Sequence, residues 1–127
     1  MSRPALPTKK FRFFTSTVPA STETSADQYN NEGYVGLQVD IAITVLTGTS
    51  VTLTIQGKNE DSGVYYTVLA DAAHTIAEDD RLIVDPRITT VTANFSVAVP
   101  VPRIWRISVA KSAVTALTMY CDAQYNN

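Results

Sequence analysis

The stretch VTLTIQGKNEDSGVYYTVL, residues 51–69, decides the fold. In its first half Val51, Leu53 and Ile55 alternate with polar residues, which is the period-two pattern of a strand with one buried face. Gly57 and Gly63 flank a polar connection, where chain reversal requires residues that tolerate positive φ. The stretch therefore predicts two antiparallel strands joined by a turn, and it places the chain in the all-β class.

Alternating runs recur on both sides of this hairpin. Residues 37–45 predict the longest strand, with Val45 on its apolar face. The short turn at residues 47–50 predicts that this strand and the hairpin form three consecutive antiparallel strands. Residues 105–109 and 117–122 also alternate, and residues 111–113 between them predict a second hairpin.

The remaining segments carry weaker patterns. Residues 15–33 predict a long loop or a pair of short irregular strands. Alanines in residues 70–77 favour helix, but we expect a strand there because the neighbouring segments are strands. Residues 81–85 predict a short strand, and the proline-rich residues 97–102 predict a sheet edge or a crossing loop.

Seven or eight short strands with one polar face each predict an antiparallel β-sandwich of jelly-roll type, with two sheets over one core. A chain of 127 residues suits one such domain. Residues 1–10 have almost nothing to bury and contain Pro4 and Pro7, so they predict an extended arm. We therefore expect an N-terminal arm and possible edge strand in residues 1–14, and a single β-sandwich domain in residues 15–127.

Composition and charge exclude several classes of protein. Hydrophobic residues make up 45% of the chain and charged residues 17%, which is too apolar for an extended disordered protein. The apolar runs alternate and so predict no membrane span. A net charge of −2 argues against a nucleic-acid partner, since such binding neutralises many phosphates. Cys121 has no second cysteine to pair with, and its strand pattern predicts burial.

The sequence offers no catalytic constellation, so we expect no enzyme activity, no catalytic residues, no cofactor and no metal. His74 is the single histidine, with Asp71 and Asp79 near it, and one histidine with scattered carboxylates is weak support for a metal site. The acidic groups at residues 59–61 and 78–80 match no calcium-binding loop and are typical of solvated turns.

Aromatic residues on the predicted strands leave a sugar-binding platform open as an alternative. Alternation sends one ring of Tyr65 and Tyr66 outward and the other inward, and Tyr120 also lies on a strand. Trp105 shares a face with Ile107 and Val109, so we expect it in the core. Core packing with one exposed ring is the simpler interpretation of these residues.

The hairpin and a later strand resemble a family of small β-sandwich virion proteins of tailed bacteriophages. The similarity covers residues 39–125 and rests on Thr54-Ile55-Gln56-Gly57-Lys58, on residues 62–70, and on Pro102-Arg103-Ile104-Trp105-Arg106-Ile107. These motifs mark a scaffold, so no functional residue is carried over. The resemblance implies a structural component of the virion, namely a capsid decoration or cement protein on the capsid surface, made in the host cytoplasm.

A cement protein adds buried area across joints between capsomers, which requires exposed arms and many identical copies. The resemblance thus implies the major capsid protein and further copies of this chain, as a homotrimer, for partners. The expected capsid or subunit contacts lie near the N-terminus: Pro4, Pro7, Lys9, Lys10, Phe11, Phe13 and Phe14. An ordinary edge strand is the alternative for residues 11–14. Two other functions stay open, a head-to-tail or tail-associated structural protein and a carbohydrate-binding host-attachment module.

Overall fold

A computed structural model describes residues 8–17 and 22–127. The described chain contains ten strands and no helix that is long and apolar enough to cross a membrane. The strands are β1 Lys9–Ser16, β2 Glu23–Thr24, β3 Gln28–Tyr29, β4 Gly36–Thr47, β5 Ser50–Lys58, β6 Tyr65–Ala70, β7 Asp79–Val84, β8 Ser96–Val97, β9 Ile104–Ser112 and β10 Ala116–Asn126.

The strands form two sheets that pack face to face. The first sheet has the order β1-β10-β4-β7-β8, and the second has the order β2-β9-β5-β6, with β3 also paired to β9. Every pair is antiparallel except β7 with β8. The predicted all-β sandwich is confirmed. The described residues form ten strands, more than the seven or eight that we predicted. The additional strands include β2, β3 and β8, which have two residues each and are too short to show alternation.

One apolar core fills the space between the sheets. Inward-facing residues alternate along β4, β5, β9 and β10, and the largest fully buried side chains come from both sheets: Trp105, Tyr125, Leu37, Ile41, Leu53, Ile55, Leu82, Ile107 and Met119. Cys121 is also fully buried, as predicted. Each buried side chain of this size contributes about 1.5–3 kcal/mol to folding.

The connections that we predicted as hairpins at residues 47–50 and 111–113 instead cross from one sheet to the other. β4 pairs with β10 and β7, whereas β5 pairs with β6 and β9, so the prediction of three consecutive paired strands is wrong. The two crossings lie side by side: the Thr115 amide donates to the Thr47 carbonyl at 2.8 Å, and the Thr49 amide donates to the Ser112 carbonyl at 3.2 Å. Alternation shows which face is buried but not which strand is the neighbour.

Val45 does not lie on the apolar face, because a β-bulge shifts the end of β4. Ile43 pairs with Met119 and Val45 pairs with Thr118, so Thr44 is an extra residue on β4. A one-residue bulge turns the following side chains to the opposite face. Val45 is consequently 45% exposed, and Leu46 packs against the core in its place.

Residues 71–78 are not a strand, contrary to our expectation. They connect β6 in the second sheet to β7 in the first, and a segment that changes sheets cannot stay in one ladder. His74 forms an isolated bridge with Val51. The His74 amide donates to the Val51 carbonyl at 2.8 Å, and the Val51 amide donates to the His74 carbonyl at 2.9 Å. The Ile43 amide donates to the Glu78 carbonyl at 3.0 Å. This connection therefore touches both sheets, which makes it a candidate for a structural site.

β1 is an edge strand of the first sheet and pairs only with β10. The edge-strand interpretation of residues 11–14 is therefore confirmed for the described chain. The boundary that we drew between residues 14 and 15 falls inside β1. Pro4 and Pro7, with the arm that contains them, lie outside the described residues.

Candidate functional site

The predicted N-terminal contact residues divide into two groups. Lys9 and Lys10 are exposed at the start of β1, where their ammonium groups lie 3.8 Å from Glu32 and 3.7 Å from Asp40. Exposed pairs of this kind contribute little to stability. Both lysines therefore remain accessible to a partner, and their role in capsid or subunit contact stays a prediction.

The three phenylalanines pack against their own chain. Phe14 is buried in the core, and the ring of Phe13 meets Trp105 edge to face with centroids 5.0 Å apart. Phe11 lies 5.7 Å from the ring of Tyr125. A bulge at Phe13 brings Phe13 and Phe14, which are consecutive, toward the same side. These rings anchor β1 to the sandwich, which leaves the lysines as the exposed part of the predicted contact.

The free edge of the second sheet carries an apolar groove. We call it the edge groove and define it by residues 66–68 of β6 and the proline-rich residues 99–102. Tyr66 is 49% exposed and Val99 is 36% exposed. β6 pairs only with β5, so its outer side faces the groove rather than another strand. Sequence analysis predicted a sheet edge or a crossing loop for the prolines, and residues 98–103 indeed cross from β8 in the first sheet to β9 in the second. It gave no signal that β6 lies beside them.

Three of the aromatic residues considered for a sugar-binding platform, Tyr65, Tyr120 and Trp105, share no common surface, whereas Tyr66 is exposed in the edge groove. Tyr120 belongs to the first sheet and lies under the guanidinium of Arg12 at 4.6 Å, whereas Tyr65 belongs to the second sheet under Arg106 at 3.4 Å. The Tyr65 hydroxyl also donates to Asp27 at 2.6 Å. Trp105 is fully buried, as predicted. These rings are divided between two sheets and are covered by cations or core.

A compact cluster surrounds His74 in the connection between the sheets. Its Nε2 lies 2.5 Å from Asp71 Oδ2 and 3.2 Å from Asp80 Oδ2, and its Nδ1 lies 2.6 Å from Glu78 Oε1. The side chains of His74 and Asp71 are 6% and 1% exposed. Asp71, His74 and Asp80 could hold a metal ion, because one ligand atom from each lies within 4.8 Å of the others.

Burial and hydrogen bonds within the cluster perturb the ionisation of Asp71 and His74. Burial raises the pKa of Asp71 to about 6, and the neighbouring Asp80 acts in the same direction while His74 opposes it. Burial acts to lower the pKa of His74, but hydrogen bonds with Glu78 and Asp71 and the nearby negative charges outweigh it, so that this pKa is raised.

Sequence analysis identified only part of this cluster. We named Asp71 and Asp79 as neighbours of His74. Asp71 contacts the imidazole, but Glu78 and Asp80, rather than Asp79, complete the cluster. The signal for Asp80 was present, because Leu82 and Val84 set the inward face of β7 and Asp80 shares their parity. Glu78 lies in the loop before β7, where no periodicity applies.

A shallow depression lies on the outer side of the first sheet, and the β7 residues Asp79, Asp80 and Arg81 are among those that line it. It includes residues of four strands and one loop: Lys10, Asp40, Ala42, Asp79, Asp80, Arg81, Phe95, Tyr120 and Asp122. Charges of both signs line it, and Arg81 donates to Asp40 at 3.0 Å. The His74 cluster itself meets solvent through the side chains of Glu78 and Asp80, which are 41% and 25% exposed.

No protein-family model and no curated protein matches the chain. Among solved structures, the chain is similar to one described as "Bacillus endospore appendages form a novel family of disulfide-linked pili", with 14% identity, 94% of this chain and 87% of that chain covered, and a TM-score of 0.52. It is also similar to a crystal structure of PirA, with 15% identity, 94% of this chain and 93% of that chain covered, and a lower TM-score of 0.40. The chain thus shares the fold of a Bacillus pilus protein.

Proposed function

We propose that this protein is a capsid decoration protein of a tailed bacteriophage, which stabilises the head by bridging capsomers. The observation that carries the proposal is the edge groove, an exposed apolar surface along the free edge of a sheet. A rigid sandwich that leaves such a surface open is suited to bind another protein segment rather than a small polar substrate. The resemblance of residues 39–125 to phage virion proteins supports the same role.

The groove has the features of a site for an extended segment. Its wall is apolar and includes Pro100 and Pro102, which offer no backbone donors, while β6 offers a strand edge on the other side. An added segment could pair with β6 and bury its side chains against the valines and prolines. We assign this groove to the capsid-binding face.

The opposite margin of the sandwich offers a second contact. β1 is the edge of the first sheet, and the exposed Lys9 and Lys10 are continuous with residues 1–7. Two contact regions at different margins allow one subunit to touch two neighbours, which bridging requires. We propose that residues 1–10 reach a neighbouring subunit or capsomer, and that three copies form a closed homotrimer.

The fold likeness to the Bacillus pilus protein supports assembly into a larger structure. That protein is described as a component of disulfide-linked pili. In this chain Cys121 is fully buried, and burial raises the pKa of its thiol to about 12. A thiol in this state is neither accessible nor nucleophilic, so assembly through Cys121 is unsupported and non-covalent contacts would carry it.

Binding to purified capsids that lack the protein tests this proposal. Val99→Asp places a charge in the edge groove and is expected to weaken capsid binding at least tenfold while the domain stays folded. Val91→Asp is the matched control, because Val91 is also exposed, at 54%, but lies outside the groove. Equal binding by both variants and the unchanged protein would remove the groove from the proposal.

Deleting residues 2–7 tests the arm separately and leaves β1 intact. The expected product is folded, is a monomer in solution instead of a trimer of 13.8 kDa chains, and no longer protects capsids against heat. Capsids that are equally robust with and without the full-length protein would contradict the cement role.

A self-assembling filament subunit is the second candidate, favoured by the pilus protein of the same fold. Electron microscopy of the purified protein separates the two functions. Filaments that form without any capsid protein would support this candidate, whereas discrete particles that decorate heads in hundreds of copies support the first. A dozen copies or fewer per virion would instead indicate a connector or tail component.

A further inference from the structure

The His74 cluster contains more negative charge than its own groups neutralise. Asp71, Glu78 and Asp80 each direct a carboxylate oxygen to the same imidazole. Across residues 8–17 and 22–127, no lysine or arginine forms an ion pair with any of the three. Glu78 and Asp80 are 41% and 25% exposed and keep contact with solvent, but the Asp71 side chain is only 1% exposed. Burial of uncompensated charge is expensive, so the cluster favours an additional cation.

The positions of the ligand atoms match a transition-metal site. Two carboxylate oxygens, from Asp71 and Asp80, face Nε2 of His74, and these three atoms lie within 4.8 Å of one another. Around a tetrahedral Zn²⁺, with bonds of about 2.0–2.2 Å, neighbouring ligand atoms lie about 3.4 Å apart. The 3.2 Å between Asp80 Oδ2 and Nε2 already fits this spacing, and Asp71 Oδ2 would move outward by about 1 Å.

Glu78 provides an argument that is independent of those three atoms. Its Oε1 lies 2.6 Å from Nδ1, the ring nitrogen that faces away from Asp71 and Asp80. Histidine ligands usually donate their second N–H to a carboxylate, which fixes the tautomer with the lone pair on the metal-facing nitrogen. In that tautomer Nε2 and two carboxylates present three electron pairs to one point, an arrangement that a divalent cation satisfies.

We infer that Asp71, His74 and Asp80 form a Zn²⁺ site that links the two sheets, with Glu78 orienting the imidazole from outside. The imidazole favours Zn²⁺ over Mg²⁺ or Ca²⁺, which prefer oxygen ligands alone. Asp71 follows β6 in the second sheet and Asp80 lies on β7 in the first, so a bound ion holds the end of one sheet to the start of the other. The two carboxylates balance its charge. Water completes the coordination from the solvent side of the site, where the Asp80 side chain is 25% exposed.

Metal titration of the full chain, after dialysis against a chelator, tests the site directly. We expect one Zn²⁺ per chain by calorimetry and by elemental analysis. At free Zn²⁺ 100 times above its Kd, the Tm should rise by roughly 10 °C, because the ion binds only the folded chain. Mg²⁺ at the same concentration should leave the Tm unchanged. Co²⁺ should give the intense visible absorption of a tetrahedral site.

Paired variants connect this binding to the named atoms. Asp80→Asn keeps the size of a partly exposed side chain and should weaken Zn²⁺ binding at least tenfold. Asp79→Asn removes the same charge from the adjacent, exposed residue and should bind Zn²⁺ as the unchanged chain does. Glu78→Gln should weaken binding by about 10–100-fold without changing the stoichiometry, as expected for an orienting group.

Three results would overturn the inference. The first is the absence of saturable Zn²⁺ binding by the folded chain. The second is equal loss of binding in Asp79→Asn and Asp80→Asn, which would indicate a diffuse charge effect. The third is a Tm that depends on pH near neutrality but not on Zn²⁺, which would show that protons alone neutralise the cluster.

Discussion

Trp105 and Tyr125 form the polar contact at the centre of the apolar core. The Trp105 Nε1–H donates to the Tyr125 hydroxyl at 2.8 Å, and both side chains are buried. The Tyr125 ring stacks on Tyr34 with centroids 5.1 Å apart. A buried donor that loses its acceptor destabilises a fold more than a matched apolar pair would. The residues of this contact come from different sheets, so the hydrogen bond joins the two layers.

We predict that Tyr125→Phe lowers the free energy of unfolding by about 1–3 kcal/mol, because the Trp105 N–H keeps its burial and loses its acceptor. Urea denaturation followed by the fluorescence of Trp105, the single tryptophan of the chain, measures this change.

Tyr120→Phe is the matched control on the same strand. Its ring keeps the contact with Arg12, so the change should stay within about 0.5 kcal/mol. Equal stabilities of the two variants would show that the Trp105–Tyr125 hydrogen bond contributes nothing.

At the scale of elements, the two neighbouring crossings between sheets depend on Gly48. Its φ is +147°, and a Cβ at this position would lie 2.4 Å from the Ala113 carbonyl oxygen and 2.5 Å from Val114 Cα. These are backbone atoms, so they cannot move without displacing the β9–β10 connection. The crossings thus pack against each other only because one of them has no side chain here.

Gly48→Ala should therefore destabilise the protein by about 2–4 kcal/mol, from backbone strain and overpacking together. Gly63→Ala is the control, because Gly63 also has a positive φ, of +74°, but a Cβ there would meet nothing within 4 Å. We expect that control to lose about 1 kcal/mol, from strain alone. Thermal unfolding of both variants distinguishes the effect of crowding from that of backbone conformation. Similar losses of stability in the two variants would refute a role for the close approach of Gly48 to the β9–β10 connection.

On the scale of the whole molecule, the buried faces followed from the sequence and the strand order did not. Alternation identified Leu53, Ile107 and Met119 as core, since each residue's face depends only on its neighbours along the chain. Pairing between strands distant in sequence depends on packing, and no local signal reports it. The same limit applied to the candidate sites, because the edge groove and the His74 cluster form where separate segments meet.

Acid should weaken the link between the sheets near β1. Glu23 accepts from Ser16 at 2.6 Å and from Lys111 at 2.7 Å, and Ser16 and Lys111 belong to different sheets. Burial acts to raise the pKa of Glu23, but its hydrogen bonds with Lys111 and Ser16 outweigh it and lower this pKa below the usual 4.5. A lowered pKa contributes stability that is complete above pH 4.5 and is lost as the pH falls through the folded-state pKa.

Glu23→Gln should thus be less stable than the unchanged chain by about 1–3 kcal/mol at pH 7, since it removes the charge that faces Lys111. The difference in Tm between the two proteins should shrink below pH 4.5. Calorimetric scans from pH 7 to pH 3 check this, and a difference that stays constant over the whole range would exclude Glu23 as an acid-sensitive group.

The strand order also has a consequence for how the chain reaches its native state. β5 and β6 are the only antiparallel partners in the described chain that follow each other in sequence, whereas β1 pairs with β10. Sheets built from such distant partners fold slowly, commonly in milliseconds to seconds, because long loops must close before contacts form. During synthesis, β1 and its phenylalanines emerge early and must wait for β10.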